Sequence, residues 1–415
     1  MRMFKKAAIA LAAILFITTF SPSAKADEVP PNFSFTGSGY GHGVGLSQIG
    51  ARAKALAGES ATAILNYYYT GTTVETATDT QIMRINIGHL LTSTKVVSTS
   101  SGAALQLYAG DLAETHTSTP LLTIPSKTTL NVTLSNGQLL ISTTRASKTS
   151  QISTGMVFTL RWSGTRYLEG VPTILSVTTN STINRYRHGQ IQFKVIKDKV
   201  LGKRLEVINS VRLQDEYLWG VSEVPSSWPM AALQAQAIAS RTFALAKSVK
   251  VRSACDCHLY NSISDQTFVG YAKEGEPKFG QLWKAAVDST QGQIVSYQGA
   301  PITAYFTSST GGATETSEHA WGTALPYTQS VPDTASADMT LNPLFSKWIR
   351  QIPQSVIAAA FLLPDVATLQ VLSINPIGTV DLIQATSSSG LTVVLTGETF
   401  RSRSKLPSAW FSILA

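Results

Sequence analysis

Residues Tyr217 to Arg241 read YLWGVSEVPSSWPMAALQAQAIASR, an extended segment that turns into a helix around a single carboxylate. Ser227 is placed to cap that helix and Pro229 suits its first position, where the missing N–H costs nothing. The spacing predicts a helix over 229–247, and its stripe of Ala232, Ala235, Ala239 and Ala246 leaves room for a close neighbour. Glu223 falls on the connection among Trp219, Val221, Val224, Pro225 and Trp228. Apolar surroundings disfavour the charged carboxylate and raise its pKa, which is what a general acid working near neutrality requires. The alternative is that Glu223 caps or pairs locally. Gln234 and Arg241 are seven apart and so share a helix face, from which they could orient a polar substrate.

Downstream of this stretch, strands are expected over 292–309 and lead into TSSTGGATE, Thr307 to Glu315. Thr307, Ser308, Ser309, Gly311 and Gly312 there could hydrogen-bond a sugar or an acetamido group, or could simply form a loop. Further on, helices are expected over 343–352 and 353–362, with strands through Val371, 380–383 and 391–395. Upstream, a strand is expected over 205–213, and residues 81–199 alternate apolar with Thr- and Ser-rich polar positions, the pattern of an all-β sandwich or barrel. Asn136-Gly137 between Leu130, Val132, Leu134 and Leu139, Ile141 marks a tight hairpin. No cluster of His, Cys or carboxylates stands out along this block. Before it, GSGYGHGVG at 37–45 places Gly at alternate positions around His42 and runs into Ser47 and Gln48, the cap and start of a short helix; a second helix is expected over 60–69.

Cys255 and Cys257 are the only cysteines, in CDCH with His258. A disulfide is the first expectation outside the cytoplasm, and a zinc site from Cys255, Cys257 and His258 or a redox pair are the alternatives. Residues 1–26 have the form of a cleavable export signal: Arg2, Lys5 and Lys6, an apolar run from Ala7 to Phe20, and Ala24-Lys25-Ala26 before Asp27. An extracellular location is therefore expected, with membrane attachment only if the signal is uncleaved. The whole chain of 415 residues carries a net charge of +8, but removing the signal leaves 29 basic against 25 acidic residues, too even for a nucleic-acid partner. No G-x-S-x-G, H-E-x-x-H or phosphate-binding loop is present.

Three separated strings resemble one family, the stage II sporulation protein D and amidase-enhancer (SpoIID/LytB) proteins of bacterial cell walls. They are YLWGVSEVPSSWPMAALQAQAIASRTFAL, then HLYNSISDQTFVGY with AAVDSTQGQIVSYQGAPITAYFTSSTGGATE, and GYGHGVGLSQIGARAKALAGESATAILNYYYTG. The resemblance implies an α+β fold: a mixed SpoIID-like domain over 201–415, with an inserted or flanking all-β domain over 81–200. It also implies peptidoglycan glycan strands as substrate, and a lytic transglycosylase whose acid is the Glu of an E-x-P motif, which lands on Glu223. No cofactor is required by that chemistry, although zinc-binding members use Cys and His near the segment matching Cys255 to His258. The other role known in the family, a non-catalytic enhancer of a cell-wall amidase, is the alternative. Here the GHGVG string precedes the other motifs instead of following them, so segment 37–80 is expected to pack on 201–415, with His42, Ser47 and Gln48 forming the wall opposite Glu223.

Overall fold

The computed structural model describes residues 29–98, 100–115 and 118–414; the expected export signal at 1–26 lies outside them. The largest element is a seven-stranded sheet in the order Leu259–Tyr260, Ile82–Leu91, Gly202–Arg212, Gln190–Asp198, Val157–Trp162, Ala104–Ala109, Leu122–Pro125. A six-stranded sheet accompanies it, ordered Lys148–Gly155, Gln138–Arg145, Thr129–Ser135, Ser93–Ser98, Leu175–Thr179, Thr182–Tyr186. Inward residues of both, such as Leu130, Val132 and Val177 from one and Leu160, Phe193 and Val207 from the other, belong to one apolar cluster. Asn136 and Gly137, both at positive φ, close the hairpin between Thr129–Ser135 and Gln138–Arg145.

The boundary expected at residue 200 falls inside a hairpin. Gln190–Asp198 and Gly202–Arg212 pair antiparallel through nine residues, from Gln190↔Ser210 to Asp198↔Gly202. The β-rich block therefore shares a sheet with the segment after it, and the apolar cluster runs on without a break into the helices. Helix α1 (Gln48–Leu56) and helix α2 (Ala61–Tyr68) are capped by Ser47 and Ser60, whose side chains accept from the Gly50 and Ala63 N–H groups. Helix α3 (Met230–Lys247) begins one residue later than expected, with Pro229 as its cap residue and no side-chain cap from Ser227. It packs against α1, α2 and the helix Gly280–Ser289.

A second apolar cluster is built from the two ends of the chain. Strand β1 (Asn32–Gly37) is central in a three-stranded sheet, flanked by Trp348–Pro353 and Phe411–Leu414. Its Phe35 is fully buried against Phe400 and Phe411, beside the helices Gln354–Phe361 and Gly397–Ser404. The helix expected over 343–352 is thus corrected: Trp348–Pro353 is a strand because β1 supplies its hydrogen-bonding partner, Asn32↔Pro353 through Gly37↔Trp348. Among the described residues no helix is long and apolar enough to cross a membrane.

Candidate active site

Glu223 is held by a short antiparallel ladder that precedes α3. Val269 N–H donates to Gly220 O at 2.8 Å, Val221 bridges Phe268, and Ser222 N–H donates to Thr267 O at 2.8 Å. This ladder aims the Glu223 side chain back at Thr267, whose N–H donates to Oε1 at 2.5 Å. Burial pushes the Glu223 pKa up, opposed by the donors of Thr267 and by the positive charge of Lys273. Lys273 is itself buried, its ammonium donating to Val224 O at 2.6 Å, and desolvation lowers its pKa. The carboxyl thus stands in an apolar setting with one oxygen bound and only partly shielded from solvent. Trp228 lies at the edge of the same turn, with the Arg52 guanidinium 5.6 Å from its ring centroid.

Other carboxylates in the neighbourhood are occupied. Asp215 takes the Arg212 guanidinium, and Glu216 takes Arg166 together with the Arg212 N–H. Glu276 accepts from Ser226 Oγ at 2.6 Å. Glu223 is held without an ion pair in contact while burial raises its pKa, an arrangement suited to holding and releasing a proton.

The remaining candidates fall into distinct places. Gln234 and Arg241 do share a face of α3, but that face packs on the helix Gly280–Ser289. Gln234 Nε2 donates to Ser289 Oγ at 3.0 Å. Arg241, expected to orient a polar substrate, is 0% exposed; its Nε lies 2.8 Å from Asp79 Oδ2 and its other nitrogens donate to Val287 O and Gln293 O. It is a structural cation in the core, because the helix it faces leaves no room for a ligand.

His42 belongs to a second cluster. The Gly-rich run threads along Thr307–Glu315 through bridges Tyr40↔Ser309 and Val44↔Glu315, and Leu46–Ser47 pairs parallel with Phe306–Thr307. His42 Nδ1 accepts from Val44 N–H at 3.0 Å, and its ring sits 5.0 Å from Trp321 and 6.1 Å from Tyr305. Desolvation, aided by Arg401, lowers its pKa to about 3, so the ring is neutral. Thr307 Oγ1 donates to Tyr40 O and accepts from Gly43 N–H. Ser308 offers its carbonyl to Ile49 N–H, while the Ser309 side chain is fully buried. Ser47 caps α1, and Gln48 Nε2 donates to Gln236 Oε1 on α3 at 3.2 Å. Gly311 and Gly43 admit the Trp410 indole, where a Cβ would lie 2.2 and 2.6 Å from ring atoms; Gly312 N–H donates to Thr310 Oγ1. No hydrogen bond or ring contact joins His42 to Glu223 among the described residues.

Cys255 and Cys257 are bonded to each other, with Cα atoms 5.1 Å apart. Their sulfurs carry no thiolate charge, and His258 Nδ1 already accepts from Arg84 N–H at 3.0 Å, so the set as folded does not fit a zinc ion. Asp256, at φ 52° between the two cysteines, pairs with Arg84 and with Lys194, the latter at 2.9 Å.

Residues 202–297, which contain Glu223 and its ladder, match the family model described as Stage II sporulation protein (SpoIID). The chain carries a SpoIID/LytB-family domain. It is 38% identical over 129 residues to stage II sporulation protein D of Bacillus subtilis, covering 28% of this chain and 37% of that one. It is 33% identical over 113 residues to the amidase enhancer of the same species, 27% of this chain and 14% of the other. An uncharacterized protein of Brachyspira hyodysenteriae is 30% identical over 164 residues, 39% and 41% of the two chains. The chain thus spans less than half the length of these curated relatives. In this SpoIID-type domain the groups that sequence reading missed are Thr267 and Lys273. Both lie beyond α3 in the chain and meet Glu223 only through folding.

Proposed function

We propose that the protein acts at the bacterial cell wall and cleaves peptidoglycan glycan strands as a lytic transglycosylase, with Glu223 as general acid. The observation that carries this reading is the Glu223 carboxyl, raised by burial, steadied by Thr267 and free of a contacting cation. Ordinary glycoside hydrolysis needs two carboxylates, one to protonate the leaving oxygen and one to attack or to activate water. A muramyl residue whose own C6 hydroxyl attacks C1 needs one. The Glu223 proton passes to the glycosidic oxygen as the C1–O bond breaks, O6 bonds to C1, and the carboxylate then takes the proton released from O6. The product is a 1,6-anhydro sugar end, no water is consumed, and Glu223 returns to its starting state. The neutral His42 ring and the Trp321 and Tyr305 faces offer an apolar platform on the same domain for the sugar rings.

The test is mass spectrometry of peptide-free glycan strands incubated with the protein and with Glu223→Gln. The native chain should yield 1,6-anhydro ends and the variant at least a hundredfold fewer, in line with the roughly 10²- to 10⁴-fold contribution of a positioned acid. Binding of the glycan by both without new ends would sink the enzymatic reading. The role carried in the name of the Bacillus subtilis relative, enhancement of an amidase, would then be the one to measure.

A further inference from the structure

A cavity lined by the strand Ile82–Leu91, the hairpin Leu175–Thr179/Thr182–Tyr186 and the segment 260–264 shares no residue with the ladder that holds Glu223. It is open to solvent on one side and has a volume of about 550 Å³, within the range of small-ligand sites, roughly 300–1,000 Å³. The wall is made of neutral amides, hydroxyls and two rings, chiefly Asn86, His89, Thr182, Asn184, Tyr260 and Asn261. No Lys, Arg, Asp or Glu lines it, so neither an anion nor a cation would find a partner. His89 and Tyr260 stand edge to face with centroids 5.0 Å apart, an aromatic corner among hydrogen-bonding groups.

Behind the wall the construction is rigid. Glu206 is 0% exposed and accepts from Asn86 Nδ2, from His89 Nδ1 at 2.9 Å and from Leu90 N–H at 3.0 Å. With Nδ1 committed to the carboxylate, His89 presents Nε2 outward. The register between Ile82–Leu91 and Gly202–Arg212 shifts at Leu205, Val207 and Ile208, and Leu90 is held at φ 54°, a conformation a branched side chain rarely accepts. Bulges and left-handed residues of this kind are kept where a side chain must be re-aimed. On the other wall, Asn261 N–H donates to Asn86 O at 3.2 Å, and Tyr260 N–H to Asp265 Oδ2 at 2.8 Å. The same segment continues to Thr267, the hydrogen-bond donor of Glu223.

We propose that this pocket binds an uncharged, acetamido-bearing sugar residue of a glycan. Hydroxyls both donate and accept, as Asn and Thr side chains do; the acetamido group matches the amides, and a pyranose face can lie on the Tyr260 ring. The inference shares its ligand class with the function proposed above but stands on other residues, and its test can be separated from that of Glu223.

The probe is the β-1,4-linked tetramer of N-acetylglucosamine, with the glucose tetramer as control, and the readout is amide hydrogen exchange of the full chain. Saturating acetamido sugar should slow exchange in segments 86–91, 179–184 and 259–264, in the native protein and equally in Glu223→Gln. In Tyr260→Ala and in Asn184→Ala, the latter a rim substitution that leaves the core alone, the concentration giving half-protection should rise at least fivefold. No slowing in these segments, slowing undiminished in both variants, or equal slowing by the glucose tetramer overturns the proposal. Loss or survival of turnover in Glu223→Gln bears on the acid and leaves this result readable.

Discussion

A carboxyl whose pKa is raised by burial binds its proton more tightly in the folded than in the unfolded chain, and Glu223 is such a group. Its contribution to stability is present in full below the unfolded pKa and is lost as pH rises through the raised folded value. Glu223→Gln, which keeps an oxygen for Thr267 and cannot ionise, should therefore melt at the same or a higher temperature than the native protein at pH 7. The two should converge as pH falls below the raised pKa, which thermal melts across pH 4–8 would show. Turnover should follow the protonated acid and decline over the same interval as pH rises; a rate independent of pH from 4 to 8 would remove Glu223 from the chemistry. Arg241 belongs to the opposite class. Arg241→Ala strands Asp79 as a buried, unpaired carboxylate and should cost about 3–5 kcal/mol in denaturant unfolding. A stable, well-folded Arg241→Ala chain with reduced glycan affinity would instead restore it to a substrate-orienting role. The raised pKa of Glu223 was legible because its apolar neighbours adjoin it in the sequence. Arg241 was misjudged because helical period tells which residues share a face, not what covers that face.

Elements whose signals are local came through the sequence clearly. Ser47 and Ser60 cap their helices, and Asn136-Gly137 turns its hairpin, because each is decided by hydrogen bonds or dihedral preferences within a few residues. Trp348–Pro353 could not be read in this way, since what makes it a strand is β1 at the other end of the chain. The same nonlocality hid the pairing of His89 with Glu206, which the register of two strands brings together. Element packing also explains the paired glycines after Thr310. A Cβ on Gly311 would lie 2.2 Å from Trp410 Cγ, so Gly311→Ala must displace the indole. A cost of about 1–3 kcal/mol is expected, as for other overpacked sites. Tryptophan emission shifted to the red, together with faster proteolysis after residue 347, would report the loosened contact; an unchanged spectrum and melt would mean that the loop yields without strain.

The two apolar clusters make the protein a large body carrying the seven- and six-stranded sheets and Glu223, and a smaller one closed by β1. The smaller body rests on the larger through Trp410 over Gly43 and Gly311, through Trp348 Nε1 donating to Gly39 O at 3.0 Å, and through Thr379 donating to Glu315. Phe35→Ala should therefore destabilise the smaller body by about 3–5 kcal/mol, the range for a buried aromatic, and leave the larger with its own melting transition. Calorimetry that still showed one unshifted transition would refute this division. The placement of β1 has a bearing on synthesis. It is translated long before either strand that flanks it, first Trp348–Pro353 and then Phe411–Leu414. Until then Phe35 has no partner and the run around His42 has no Trp410 to lean on. A product terminated before Trp348 would present an uncovered aromatic strand to quality-control proteases, so the fold itself registers whether translation has passed Leu414.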